Sequence, residues 1–217
     1  MRYMKHIKKR TGLLAGALIM NFATASAQCQ LLCNTDFENV PPMGNHLITY
    51  DSLVPCWSTT ASDRMIEIWK NGMSNVPSYS GSYFIELNAN MASTLYQDFT
   101  ATPGTIVNIS FAHRGRQGTD VMDVHIGAVG GPYTNLGTYS DANTAWGYYT
   151  VSYMIPAGVG NNFSLRFNSV SSSSGSSSVG NFLDAISISI PSGTLSVLST
   201  SVTCFGGTNG TAVALIN

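Results

Sequence analysis

Polar and apolar residues alternate with a period of two through much of this chain, and no helical period lasts beyond a turn or two. The segment TIVNISFAH (105–113) places Val107, Ile109 and Phe111 on one face and polar side chains on the other. Successive side chains of a strand point to opposite faces, so this pattern predicts a half-buried β-strand. The same pattern recurs in VMDVHIG (121–127), YYTVSYMI (148–155) and FSLRF (163–167).

Turn-forming sequences separate these predicted strands: TPGT (102–105), RQGT (116–119), VGGPY (129–133) and PAGVGNN (156–162). Half-buried strands with such turns between them predict an antiparallel β-sandwich. The serine-rich segment 169–181 lies between two predicted strands, and we interpret it as a flexible hairpin loop. A domain boundary is predicted at IPSGTL (190–195).

We interpret residues 1–27 as a secretory signal. A basic stretch precedes the apolar segment GLLAGALIM (12–20), and the small residues ASA (25–27) form a cleavage site. Nine apolar residues are too few for a transmembrane helix, which needs about 20. A lipoprotein signal is the less favoured alternative, because Gln28 precedes Cys29 where a small residue is expected. We therefore expect cleavage after Ala27 and a secreted protein, located on a bacterial cell surface.

Cleavage of the signal would make the protein acidic. The chain has 10 Lys and Arg against 11 Asp and Glu, and five of the basic residues but no acidic ones precede residue 28. Five basic and 11 acidic residues then remain, for a net charge of −6. We expect neither nucleic acid nor an anionic membrane as a partner, since both select positively charged surfaces.

Four cysteines remain after cleavage, and disulfides are allowed in an exported protein. We favour a Cys33–Cys56 disulfide, which would tie the N-terminal strand to a neighbouring one. Metal binding is the weaker alternative, because the cysteines show no paired CxxC spacing. Cys29 and Cys204 have no evident partners.

Two predicted strands place acidic residues beside aromatic or amide side chains. In RMIEIWKNG (64–72), Glu67 shares a face with Trp69, and in SYFIELNAN (82–90), Glu86 shares a face with Asn88. An indole ring packs against the apolar face of a sugar, while carboxylates and amides accept its hydroxyl protons. The pattern predicts carbohydrate binding, with Trp57 and Trp69 as the stacking surfaces.

The segment FAHRGRQGTD (111–120) gathers charge at the end of a predicted strand, in a chain with only 10% charged residues. We interpret its charged side chains as the rim of the same site: His113, Arg114 and Arg116 as donors, and Asp120 as an acceptor. The alternative is that the two arginines only pair with Glu67 and Glu86 across strands. The protein would then be an architectural spacer whose partner is another protein.

The segments NTDFENV (34–40), GSYFIELNAN (81–90), 95–127 and FLDAISISI (182–190) resemble exported galactose-binding-like jelly rolls, a superfamily that includes many carbohydrate-binding modules. The resemblance implies an all-β jelly-roll β-sandwich, here residues 28–190, that binds glycan on a concave face or loop rim. It does not identify a particular sugar.

The resemblance also implies a structural calcium ion, held by Glu38 in the first part of the domain and Asp184 in its last strand. Alternation independently predicts that Asp184 faces inward with Ile186, Ile188 and Ile190, and a buried carboxylate needs a cation or hydrogen-bond donors. The alternative is an aspartate that binds loop amides at a strand entry.

The segment VTCFGGTNGTA (202–212) resembles the opening of immunoglobulin-like repeats in bacterial gliding-motility adhesins. This resemblance implies that residues 191–217 are a linker and the start of such a repeat, and that further repeats follow in a longer chain.

An enzyme is the less favoured alternative. Glu67 and Glu86 could serve as the two carboxylates of a glycoside hydrolase, whose separation the sequence does not give. Serine hydrolase chemistry lacks the GxSxG motif, and metal catalysis lacks a histidine cluster, since His125 has outward parity and His46 is assigned to a loop.

Overall fold

The computed structural model describes residues 29–191, 195–200 and 211–216. The residues predicted to form the signal, and Cys204, lie outside these ranges. Within them, twelve strands build a sandwich: β1 (Cys29–Gln30), β2 (His46–Tyr50), β3 (Ser58–Thr59), β4 (Met65–Lys70), β5 (Tyr83–Glu86), β6 (Thr94–Thr100), β7 (Ile106–Arg114), β8 (Asp120–Ala128), β9 (Tyr133–Asp141), β10 (Gly147–Met154), β11 (Asn162–Ser171) and β12 (Phe182–Ile190).

The strands form two antiparallel sheets. The first sheet has the order β10-β7-β12-β5-β4-β2, with β1 also pairing with β12, and the second has the order β3-β6-β11-β8-β9. Two further strands, β13 (Leu195–Thr200) and β14 (Thr211–Ile216), pair with each other. The architecture is an all-β jelly-roll sandwich, which confirms the predicted fold class.

The core between the sheets is filled by the residues that alternation assigns to the inner face. Val107, Ile109 and Phe111 of β7 are fully buried there, opposite inward residues of the second sheet such as Leu165 and Phe167 of β11. Every second residue of a strand points into this layer, so the remaining side chains form two outer faces.

The serine-rich segment differs from its prediction. Its first residues, 169–171, extend β11, and the rest leads into β12. Because β11 belongs to the second sheet and β12 to the first, the segment crosses between sheets and is not a hairpin loop.

The predicted inward direction of Asp184 is wrong. β12 pairs with β7 in two registers, and the shift between Asp184 and Ser187 marks a β-bulge. Ala185 within it has the left-handed φ of 48°. One extra residue reverses the parity of a strand. Ile186 therefore enters the core while Asp184 lies on the outer face, buried among amides of the 77–82 segment.

A disulfide joins Cys33 and Cys56, as predicted. Beside it, the buried amide of Gln97 accepts a hydrogen bond from the Cys33 N–H at 2.8 Å and donates one to the Cys33 carbonyl at 3.0 Å. The N-terminal segment is thus held to the segment before β3 by the disulfide and to β6 by hydrogen bonds. No helix in the described part of the chain is long and apolar enough to cross a membrane.

Replacing Cys33 and Cys56 by serine is expected to lower the free energy of unfolding by about 3 kcal/mol, because the open chain gains conformational entropy when unfolded. Urea unfolding followed by tryptophan fluorescence measures the change. The matched control is Cys29→Ser, which alters an exposed free cysteine. Equal unfolding midpoints for the double variant and the control would show that the clip contributes no stability.

Candidate functional site

Several residues predicted for the site meet on the outer face of the first sheet. Glu67 of β4 lies directly opposite Glu86 of β5, and Phe182 of β12 continues the row. Trp69 lies on the same face, two residues beyond Glu67. The register of three neighbouring strands therefore brings two carboxylates together beside aromatic rings.

The aromatic part of this face is covered by the chain itself. Trp69, Phe84 and Phe182 form a buried cluster, against which Val76 and Met73 from the segment between β4 and β5 pack. This second hydrophobic layer shields the adjacent carboxylates from water.

Each carboxylate of the pair is bound by groups within the protein. Glu86 receives Nη1 of Arg116 on both oxygens, at 3.0 and 2.9 Å, and the Gly180 N–H at 2.7 Å. Glu67 accepts from the Trp69 indole N–H at 2.8 Å, and Nε2 of His46 lies 2.9 Å from the same oxygen. His46 is the first residue of β2 and contacts this cluster, so its prediction as a loop residue is wrong.

Burial changes the protonation of the pair. It raises the pKa of Glu86 from 4.5 to about 8, and the negative charge of Glu67 adds to the increase. It also raises the pKa of Glu67, although the hydrogen bond from Trp69 and the charge of His46 oppose the change. A buried pair of carboxylates retains a proton at neutral pH because two adjacent charges are costly in a low dielectric.

Neither predicted stacking surface is available. Trp57 is 2% exposed, packs against Phe37 in the core and donates its indole N–H to the Asn34 carbonyl at 2.8 Å. Trp69 is also 2% exposed and lies beneath the guanidinium of Arg116, whose carbon is 4.7 Å from the ring centroid. The assignment of both rings to sugar stacking is wrong, because a sugar cannot reach either face.

The two arginines have different roles. Arg116 contacts both carboxyl oxygens of Glu86, as the architectural alternative anticipated for one of the two arginines. Arg114 instead donates to the carbonyl of Asn143, and burial lowers its pKa.

Asp120 and Asn88 organise loops. Asp120 accepts the N–H groups of Arg116 at 2.8 Å, Asn181 at 3.1 Å and Ser173 at 2.9 Å, and has no solvent exposure. Asn88 is likewise buried and donates to the Ser177 carbonyl at 3.1 Å. Both side chains fix the serine-rich segment that connects β11 to β12.

His113 lies inside the protein and not on a rim. Its Nδ1 is 2.7 Å from a carboxylate oxygen of Asp141, and its Nε2 is 3.0 Å from the Asn181 side-chain oxygen. The Tyr149 hydroxyl donates to the same carboxylate at 2.8 Å, and burial raises the Tyr149 pKa to about 12. These contacts use all the polar atoms of the ring.

The predicted calcium residues lie at one loop. Asp184 accepts from the N–H groups of Tyr79 at 2.8 Å and Ser80 at 2.9 Å. Glu38 accepts from those of Ser82 at 2.6 Å and Tyr83 at 3.0 Å. Backbone amides occupy both oxygens of Asp184 and one oxygen of Glu38, whereas calcium needs six to eight oxygen ligands, so these groups do not fit the ion. The described residues also contain no group of three or more metal-binding side chains. Calcium stays a prediction from the resemblance.

The outer face of the second sheet has a different character. Tyr96 of β6, Arg166 of β11 and His125 of β8 lie in one row across three paired strands. The guanidinium carbon of Arg166 is 4.8 Å from the ring centroid of Tyr96 and 4.5 Å from that of Tyr133 in β9. Tyr96, Tyr133 and Arg166 are all partly exposed, so an arginine held between two tyrosines is accessible to solvent in part.

A glycine makes room for one of these rings. A Cβ at Gly127 would lie 3.0 Å from Cδ1 of Tyr133 and 2.3 Å from the Pro132 carbonyl oxygen. The missing side chain at Gly127 therefore lets the Tyr133 ring lie close to β8.

Sequence reasoning missed this row. The alternation of polar and apolar residues places Arg166 and His125 on an outer face, and the pattern of LYQDF (95–99) does the same for Tyr96. The strand register that joins them into one surface is a long-range property, and neither alternation nor residue spacing encodes it.

No family model and no curated protein matches this chain. Among solved structures, a Stig cyclase from Fischerella sp. TAU, in complex with (3Z)-3-(1-methyl-2-pyrrolidinylidene)-3H-indole, is 14% identical over 75% of this chain and 98% of the cyclase, with a TM-score of 0.53. A xylan-binding domain of carbohydrate-binding module family 22 is 14% identical over 69% of this chain and 97% of its own, with a TM-score of 0.47.

A family 61 carbohydrate-binding module, in complex with beta-1,4-galactotriose, is 16% identical over 74% of this chain and 97% of its own, with a TM-score of 0.45. At these identities, the likeness to the cyclase shows the fold alone.

The free energy of unfolding is expected to fall as pH rises from about 4.5 to about 8. Over this range the unfolded chain loses the proton of Glu86 while the folded protein retains it. The slope is at most about 1.4 kcal/mol per pH unit for one group. Asp184, whose pKa burial raises from 3.8 to about 7, adds to it at the acidic end.

Glu86→Gln is expected to flatten this pH dependence, because it removes the titrating group and retains an acceptor for the Gly180 N–H. Urea unfolding at several pH values measures the slope. Asp98→Asn, which alters an exposed carboxylate, is the matched control. An unchanged slope in Glu86→Gln would contradict a protonated carboxylate pair.

Proposed function

We propose that this protein is a non-catalytic, exported module that binds carbohydrate on the outer face of the second sheet. The observation that carries the proposal is the guanidinium of Arg166 held between the rings of Tyr96 and Tyr133. A flat aromatic surface suits the apolar face of a pyranose, and a fixed guanidinium supplies hydrogen-bond donors. Both are mounted on paired strands, which limits the entropy lost on binding.

Polar groups around the tyrosines support the same function. Asp98 is exposed on β6, two residues beyond Tyr96, and Asp123 is partly exposed on β8. Carboxylates accept hydrogen bonds from sugar hydroxyls. A surface with aromatic rings, donors and acceptors within one sheet is typical of sugar recognition rather than of a purely apolar contact.

The first sheet is the weaker candidate. Glu67 and Glu86 are 4% and 2% exposed, and their oxygens already bind protein donors. Glycoside hydrolysis requires both carboxylates to reach the scissile bond. Because this pair is buried, a glycosidic bond cannot lie between its members. This arrangement supports a bracing role for the pair over catalysis.

We also propose that the module is exported as part of a longer surface protein. The Cys33–Cys56 disulfide is compatible with an oxidising compartment, and the N-terminal sequence has the features of a secretory signal. The resemblance of segment 202–212 to adhesin repeats supports a place within a longer surface protein, with further repeats of that chain as neighbours.

Tyr96→Ala and Tyr133→Ala are each expected to weaken retention by a bound polysaccharide about 3- to 10-fold, because each removes one aromatic surface. Affinity electrophoresis through gels that contain a panel of plant and bacterial polysaccharides measures retention. The mobility in a gel without polysaccharide corrects for changes in shape.

Tyr50→Ala is the matched control, since Tyr50 is 54% exposed on the edge strand of the first sheet. The control is expected to retain full affinity. If Tyr50→Ala weakens retention and the two second-sheet variants do not, the binding face is misassigned. If no polysaccharide retards the wild-type protein, the architectural spacer is the better account.

A further inference from the structure

The arginine of the proposed site has no acidic partner. In the part of the chain that the structure describes, Arg64 pairs with Asp51 and Arg116 pairs with Glu86, whereas Arg166 forms no ion pair. Its one hydrogen bond in that part is a long contact of 3.5 Å, from Nη1 to the Tyr133 hydroxyl. A guanidinium has five N–H donors, so most of those of Arg166 are available to a ligand.

The neighbouring histidine is turned towards Asn168 and Asp123. Asn168 lies on β11 beside His125, and its Nδ2 is 3.0 Å from the ring Nδ1. The amide N–H points at Nδ1, so the ring hydrogen lies on Nε2.

That Nε2 atom has no partner among the described residues and no solvent exposure. The Asp123 carboxylate is 3.9 Å away, beyond hydrogen-bond distance, and accepts from the Thr138 hydroxyl at 2.6 Å. The Ser164 hydroxyl on the same outer face is likewise buried and without a partner. A ligand on the surface reaches neither atom, so the charged donor of this face is Arg166.

The guanidinium of Arg166 favours an acceptor of negative charge. A single carboxylate can take a bidentate contact from it, and charge-assisted hydrogen bonds are about twice as strong as neutral ones. The flanking acids Asp98 and Asp123 accept hydrogen bonds from the hydroxyl groups of a sugar.

We infer that the Tyr96–Arg166–Tyr133 face recognises polysaccharides that contain uronic acid residues, whose carboxylate binds Arg166. This inference rests on the proposed carbohydrate-binding function and names its ligand class. A hexuronic acid combines one carboxylate with several hydroxyls and an apolar ring face, which matches the groups on this surface.

Isothermal titration calorimetry with two matched ligand pairs tests the inference. One pair is oligogalacturonic acid and its carboxyl-reduced form, and the other is glucuronoxylan and unsubstituted xylan fragments. The protein is the full chain from residue 28, at one fixed ionic strength. The acidic member of at least one pair is expected to bind about 10- to 100-fold more tightly than its neutral partner.

Arg166→Gln is expected to abolish this preference while leaving the affinity for the neutral ligand within a few-fold. Arg166→Lys keeps the charge without the planar fork, so it should retain part of the preference. Lys70→Gln removes an equal charge from an exposed residue of the first sheet and should leave the preference intact. Thermal melting of each variant shows whether it is folded.

The outcomes separate the two proposals. Equal affinity for acidic and neutral ligands would overturn the uronic acid inference and leave carbohydrate binding in place. A preference that survives Arg166→Gln in a folded protein would also overturn the inference. Binding to none of the four ligands would overturn the inference, and failure across the wider polysaccharide panel would overturn the proposed function as well.

Discussion

A charged group buried in a protein must find its partners inside the protein, and this constraint divides the two outer faces of the sandwich. On the first sheet, Glu86 is fixed by Arg116 and the Gly180 N–H, while Glu67 is bound by Trp69 and His46. These bonds offset only part of the desolvation of the carboxyl groups, whose pKa values stay raised, and they leave little capacity for a ligand. The face is therefore closed by its own chemistry as well as by the aromatic layer beside it.

The second sheet meets the same constraint differently. Its outer side chains remain partly in solvent, so Arg166 can stay without an acidic partner and lie between two tyrosine rings. In the unliganded protein, a partly hydrated donor of this kind has a small desolvation cost. When a ligand binds, the donor gains a charge-assisted hydrogen bond. The difference between the faces explains why a charged residue is a structural brace on one sheet and a candidate for recognition on the other.

The sequence predicts the fold well, because alternation is a local property. Val107, Ile109 and Phe111 are buried as the period of two predicts, and the Cys33–Cys56 pairing is confirmed. The direction of Asp184 was wrong because a single inserted residue at Ala185 reverses parity, and the sequence gives no local sign of that bulge.

Residues that meet through register were only partly predictable. Glu67, Glu86 and Arg116 do come together, but the sequence could not show that neighbouring chain would bury them. The Tyr96–Arg166–His125 row depends on the pairing of β11 with both β6 and β8, which are far apart along the chain. Alternation assigns each of these side chains to an outer face, but the strand register is needed to show that they form one surface.

Backbone amide chemical shifts of the nitrogen-15-labelled protein, recorded with and without a bound oligosaccharide, show directly which sheet carries the binding face. We expect the largest changes in β6, β8, β9 and β11, around Tyr96, His125 and Arg166. Largest changes at Glu67, Glu86 and Arg116, with the second sheet unaffected, would place the ligand on the first sheet instead.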